Sequence, residues 1–160
     1  GKDACSWAAE PSANLACGRV MENTSLSVIV STRSINIALV NRDKAPLWVW
    51  PDHDTYQVDT KNKTSIIWYG YFLEIYGHLS NHYMIPPLRK VAPKQTNRWT
   101  FVPVRDGSTA PLVRGNLIQV RMRVALKNFV SKGRFSDHRQ LPALLTESCV
   151  LAATGMVPPK

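Results

Sequence analysis

Asp52, His53 and Asp54 stand side by side, and two carboxylates around an imidazole form a donor set suited to a hard or borderline divalent cation. A turn closing the preceding apolar run explains the same triplet, and further ligands would have to come from elsewhere in the chain. His78 and His82 are four residues apart, a spacing that would align two rings for a metal on a helix. They flank the glycine-led turn GHLSN, where the spacing loses that geometric meaning. No ligand set is assigned, and a metal-binding periplasmic domain stands as an alternative reading.

Covalent and acid–base chemistry have less to draw on. No serine lies in a G-x-S-x-G elbow, and none of the three cysteines has a nucleophile signature. Outside the Asp52 to Asp54 turn no two carboxylates are close neighbours, so a glycosidase-like pair lacks material. A glycine-rich phosphate loop is also missing. The expectation is a protein that is not an enzyme and uses no cofactor.

The arginines carry a more definite message. Ile118, Val120, Met122, Val124 and Leu126 alternate with Gln119, Arg121, Arg123 and Ala125, the period of a strand with one buried face. This predicts a half-buried antiparallel strand with Arg121 and Arg123 presented together on its exposed side. Arg98 opens the alternating run RWTFVPV, expected in the same sheet, and Arg105 and Arg114 flank the intervening loop. Together they predict a basic sheet face. Trp48 and Trp50, two apart in LWVW, share one side of a strand; turned inward they are core, and turned outward they form an aromatic platform.

The elements that must position these residues read as β throughout. Leu26 to Val30 and Ile35 to Val40 are two strands separated by Thr32 to Ser34. NRDKAP then has turn chemistry, because Asn41 and Asp43 can bond their own backbone and Pro46 has a fixed φ. Leu47 to Trp50 resumes the strand pattern. Ser65 to Tyr76 predicts a long buried strand or two short ones, with Gly70 as a bulge or close-approach point. Pro86, Pro87 and Pro103 belong to edges or loops, since proline cannot donate to a ladder. A short helix after Ser136 or Asp137, limited by Pro142, and a strand through Cys149 are expected near the end.

About seven short strands point to an all-β, immunoglobulin-like antiparallel β-sandwich. Over residues 26–126 the patterning is similar in style to the immunoglobulin-like sandwiches of exported bacterial proteins, a likeness that identifies no family. A single domain over residues 1–160 is expected: a loop-rich segment 1–25 tied by cysteine, a sandwich core 26–126 and a C-terminal extension 127–160.

Charge and cysteines suggest where it works. The formal net charge is +9, and residues 81–140 hold twelve Lys or Arg against Asp106 and Asp137 alone. Such a field attracts acidic proteins, anionic surfaces or nucleic acid. Stacking rings are not interleaved with the arginines, which argues against nucleic acid. A Cys17–Cys149 disulfide is favoured among the pairings of Cys5, Cys17 and Cys149, because closing so long a loop constrains the unfolded chain by roughly 4 to 5 kcal/mol. Residues 1–20 contain no export signal, and no run is long enough to be a transmembrane segment. Asn23 and Asn62 head glycosylation sequons. The resulting expectation is a periplasmic or secreted binding protein. It would recognise an acidic protein partner through Arg98, Arg105, Arg114, Arg121, Arg123, Trp48 and Trp50, in an inhibitor or immunity-type role. The alternative is a cell-envelope accessory domain on an anionic glycan or lipid surface.

Overall fold

The computed structural model describes residues 14–52, 54–71, 87–129 and 147–160. Within them one helix, α1 (Asn14–Asn23), precedes eleven strands. These are β1 (Thr24–Val30), β2 (Ile35–Asn41), β3 (Leu47–Val49), β4 (Asp54–Asp59), β5 (Thr64–Tyr69) and β6 (Arg89–Val91). They continue as β7 (Thr96–Phe101), β8 (Val104–Arg105), β9 (Ser108–Thr109), β10 (Leu117–Ala125) and β11 (Ser148–Met156). The fold is an all-β sandwich, as the alternation predicts.

One layer is a three-stranded antiparallel sheet in the order β1-β2-β7. The other is a six-stranded sheet in which β10 is the hub. β11 runs antiparallel along the whole length of β10, while β5 and β3 pair with successive stretches of its other edge. The β5–β10 pairing is parallel, from Leu117 opposite Thr64 to Met122 opposite Tyr69. One parallel contact therefore departs from a purely antiparallel sandwich. The strand through Cys149 is nine residues long and belongs to this central pair.

Alternation fills the space between the layers. Ile35, Ile37 and Leu39 of β2 meet Ile118, Val120, Met122 and Val124 of β10, with Leu47, Val49, Ile67 and Tyr69 from the same sheet as β10. Gly155 of β11 lies at a close approach between the layers, because a Cβ there would fall 2.7 Å from Val30 Cγ2. Tyr56 against Phe101 and Tyr69 edge-on to Trp99 tie the sheets with aromatic contacts at 5.3 and 5.8 Å.

Helix α1 closes one end of this core. Cys17 and Val20, three apart and so on one helical face, are buried in the core cluster, whereas Arg19 and Met21 face solvent. Cys17 is bonded to Cys149 across 5.6 Å between Cα atoms, the pairing favoured on loop length. Cys5 lies outside the described residues. The helix itself was not expected. Its sequence, NLACGRVMEN, has Gly18 in the middle and neither acid in its first turn nor base in its last, so packing and the disulfide supply what local signals do not. The helix expected after Ser136 or Asp137, and residues 72–76 of the strand expected to reach Tyr76, lie outside the described residues. β5 ends before Gly70, which has φ +76° and whose carbonyl accepts from Arg123 on the outer face.

Candidate functional site

Arg121 and Arg123 do share one face of β10, but that face is not open. Arg121 is 7% exposed and Arg123 is fully buried, which corrects the expectation of an exposed arginine pair. The cause is close packing on the outer side of the six-stranded sheet. Trp50, which follows β3, is itself fully buried and packs where a Cβ on Gly70 would lie 3.0 Å from its Cε3 and 3.1 Å from Arg123 Cβ. Arg123 Nε donates to the Gly70 carbonyl at 3.1 Å and its Nη1 to Ser148 Oγ at 2.9 Å. Burial pushes the guanidinium down to about 10. Arg121, opposite Trp68 of β5 and Ala152 of β11, donates to Gln119 Oε1 at 2.7 Å. Trp68 stacks on Tyr71 at 5.0 Å and 20° and joins Val150 in a second apolar cluster. Both arginines are structural members of a second, outer core.

The remaining expected contact residues are dispersed. Arg98 is exposed but lies on β7, in the three-stranded sheet, so it does not share a sheet with Arg121 and Arg123. Arg114 is exposed in the loop before β10, at the end of the sandwich remote from α1, and Arg105 closes the short strand β8 at the same end. Trp48 is half-buried on the outer side of β3, opposite Lys90 of β6 and Ala125 of β10. Trp50, being covered, cannot present a platform. Asp52 and Asp54 are exposed; His53, His78 and His82 lie outside the described residues, and among the described residues no three His, Cys, Asp or Glu side chains cluster.

Cations gather instead at the end closed by α1. Asn41, buried at the end of β2, organises it: its Nδ2 donates to the carbonyls of Ala45, Val91 and Ala92 at 3.0, 3.2 and 3.4 Å. Its Oδ1 accepts from the Asp43 amide at 2.9 Å, and its own amide donates to the Gln95 carbonyl at 3.0 Å. The Arg42 amide donates to the Asn23 carbonyl at 2.7 Å. One side chain thus locks the β2–β3 and β6–β7 turns together beside the end of α1. Arg42, Lys44, Arg89, Lys90 and Lys94 project from these turns and the adjoining strand, all exposed. Asp43, in the same turn as Arg42 and Lys44, is buried and held by Arg19 Nε at 3.2 Å. Sequence reasoning saw NRDKAP only as a turn. Its meeting with Arg89, Lys90 and Lys94 depends on the non-local Asn41 bonds, for which no short-range signal exists.

A second feature is a groove of about 320 Å³ on the outer face of the three-stranded sheet, lined by Ser27, Ile29, Asn36, Ala38, Arg98 and Thr100. The register explains it. Ser27, Ala38 and Arg98 form one cross-strand row, and Ile29, Asn36 and Thr100 the next. Two small side chains in the first row leave a trough between Ile29 and Arg98. Thr100 Oγ1 donates to Asn36 Oδ1 at 2.7 Å, leaving the Asn36 amide nitrogen as a donor.

Compared with known proteins, the chain matches no family and no curated sequence.

Proposed function

We propose that this chain is an extracytoplasmic, non-catalytic binding protein whose cationic end engages an acidic protein partner, in an inhibitor or immunity-type role. The observation that carries this reading is the set of five exposed cations, Arg42, Lys44 and Lys94 on turns fixed by buried Asn41 and Arg89 and Lys90 on the adjoining strand β6. Cations on a rigid frame steer an oppositely charged partner and fix its register without reordering the chain on contact. The Cys17–Cys149 bond, which pins α1 beside these turns, is the kind of link that persists in oxidising compartments. No helix among the described residues is long and apolar enough to cross a membrane.

The test uses poly-L-glutamate as the anionic probe and two triple reversals of equal charge. R42E/K44E/K94E at the cationic end is expected to abolish salt-sensitive binding, while R33E/K61E/K63E at the opposite end leaves it within about twofold. Equal loss in both variants would mean that only net charge matters, and the site would be withdrawn. Folding of each variant is checked by circular dichroism.

The opposite end favours a second reading, attachment to an anionic envelope surface. Val102, Val104, Val113, Leu117 and Met156 are exposed apolar side chains there, with Arg33, Lys61, Lys63 and Arg114 at the same end. Apolar tips ringed by cations suit a headgroup layer. Co-sedimentation with anionic vesicles, lost in R33E/K61E/K63E and kept in the other variant, would favour it over the first reading.

A further inference from the structure

The groove on the three-stranded sheet has a donor pattern with no internal purpose. Nine side chains point outward from β1, β2 and β7: Ser25, Ser27 and Ile29; Asn36, Ala38 and Val40; Thr96, Arg98 and Thr100. None is acidic. Arg98 makes no ion pair or side-chain hydrogen bond among the described residues, although a guanidinium offers five N–H donors in a fixed fork. Beside it the Asn36 carbonyl is occupied by the Thr100 hydroxyl, so the amide nitrogen is the free end of that side chain. Ser27 adds a hydroxyl across the trough.

The other half of the lining is apolar. Ala38 is the floor between Ser27 and Arg98, and Ile29 is 72% exposed at the far wall. Ile29 thus offers apolar area on the wall of the concave surface. Adjacent strands are about 4.8 Å apart, so Arg98 on β7 and the wall on β1 are separated by roughly 10 Å. A ligand spanning that distance meets positive charge at one end and hydrocarbon at the other.

We propose that this groove is a binding site for a small monocarboxylic acid with a short apolar body. The carboxylate takes the Arg98 fork in the two-bond geometry that makes arginine–carboxylate pairs specific, with the Asn36 amide donating to the same group. The apolar body lies over Ala38 and ends against Ile29. A phosphate dianion fits less well, because the groove holds a single cation and half its lining excludes water. At about 320 Å³ the groove is at the lower limit of small-molecule sites, which span about 300 to 1,000 Å³, so the ligand is a short-chain or single-ring acid. This site is distinct from the cationic end.

Hexanoate, hexan-1-ol, hexylammonium and inorganic phosphate are the probes, titrated into the full chain by calorimetry and by amide chemical-shift perturbation. Hexanoate is expected to bind saturably, with shifts confined to β1, β2 and β7, and at least about tenfold tighter than the alcohol, a difference of about 1.4 kcal/mol. R98Q removes that advantage, so acid and alcohol then bind alike. A38F fills the trough and abolishes both. Each substitution is on the outward face, so the fold survives. Polyglutamate binding at the cationic end is unchanged in R98Q, which keeps this result separate from that of the proposed function. Absence of saturable hexanoate binding, equal affinity for hexanol, or indifference to R98Q would overturn the proposal.

Discussion

The two outward faces of this sandwich are written in the same alternating code and end in opposite environments. On β7, Arg98 faces away from the core and stands in water; on β10, Arg121 and Arg123 face away from the core and are buried. The difference lies in what packs against each face. Gly70 lies within van der Waals reach of buried Trp50 and of Arg123, and beside the arginines Trp68 and Val150 join Ile66 and Tyr71 in an outer apolar cluster. Alternation identifies which residues share a side. Whether that side is wet depends on segments outside the strand.

The largest effect expected from this contrast is in stability. Arg123→Ala removes a large, fully buried side chain and strands the Gly70 carbonyl and Ser148 hydroxyl that it satisfies. A loss of about 2 to 5 kcal/mol is expected, from the cavity left by a large buried side chain and the two neutral groups left without their donor. Arg98→Ala should stay within about 0.5 kcal/mol, as for surface positions generally. Urea denaturation of both variants measures the difference directly, and similar losses at the two positions would erase the distinction between the faces.

Glycine substitution probes this packing. Gly70 and Gly107 both have positive φ, +76° and +79°, but a Cβ at Gly107 meets nothing within 4 Å. Gly107→Ala therefore reports the backbone cost alone, about 1 to 2 kcal/mol. Gly70→Ala carries that cost and the intrusion on Trp50 and Arg123, about 1 to 3 kcal/mol more for overpacking. If the two variants unfold at the same denaturant concentration, the cover over Arg123 is looser than the geometry shows.

Much of this frame was legible from residues alone. Period-two patterning located β1, β2, β3, β7 and β10, and loop length selected Cys17 and Cys149. The three-residue strand β6 was not seen, because RKV has no pattern to read. Nor could patterning place Arg98 and Arg121 in one sheet or two, since partner choice is non-local. Asn41 shows the limit most clearly. As the first residue of NRDKAP it reads as a turn former, and it does accept from the Asp43 amide, yet its larger role is to bind carbonyls at Val91 and Ala92, fifty residues away in sequence. The cationic end therefore became visible only with the fold, and so did the groove, because the row Ser27, Ala38 and Arg98 depends on the non-local pairing of β2 with β7.

The smallest effect concerns pH, and it opposes the inter-sheet core to the covered outer face. Tyr69 points between the sheets, 1% exposed and edge-on to Trp99, and burial raises its phenol above the ordinary value. A raised acid contributes stability that is intact below about pH 10 and is lost as pH climbs, because the unfolded chain then releases a proton that the folded chain retains. Arg123 acts with the opposite sign. Burial pushes its guanidinium below the ordinary arginine value, so its contribution to stability rises rather than falls as pH climbs. Tyr69→Phe deletes only the first contribution. Between about pH 9 and about pH 11 the variant should therefore lose less stability than the parent, and one of the five tyrosines should remain unionised in the parent's ultraviolet titration until the protein unfolds. Identical pH profiles for parent and variant would place Tyr69 in contact with solvent and would weaken the case that the aromatic contacts between the layers are dry.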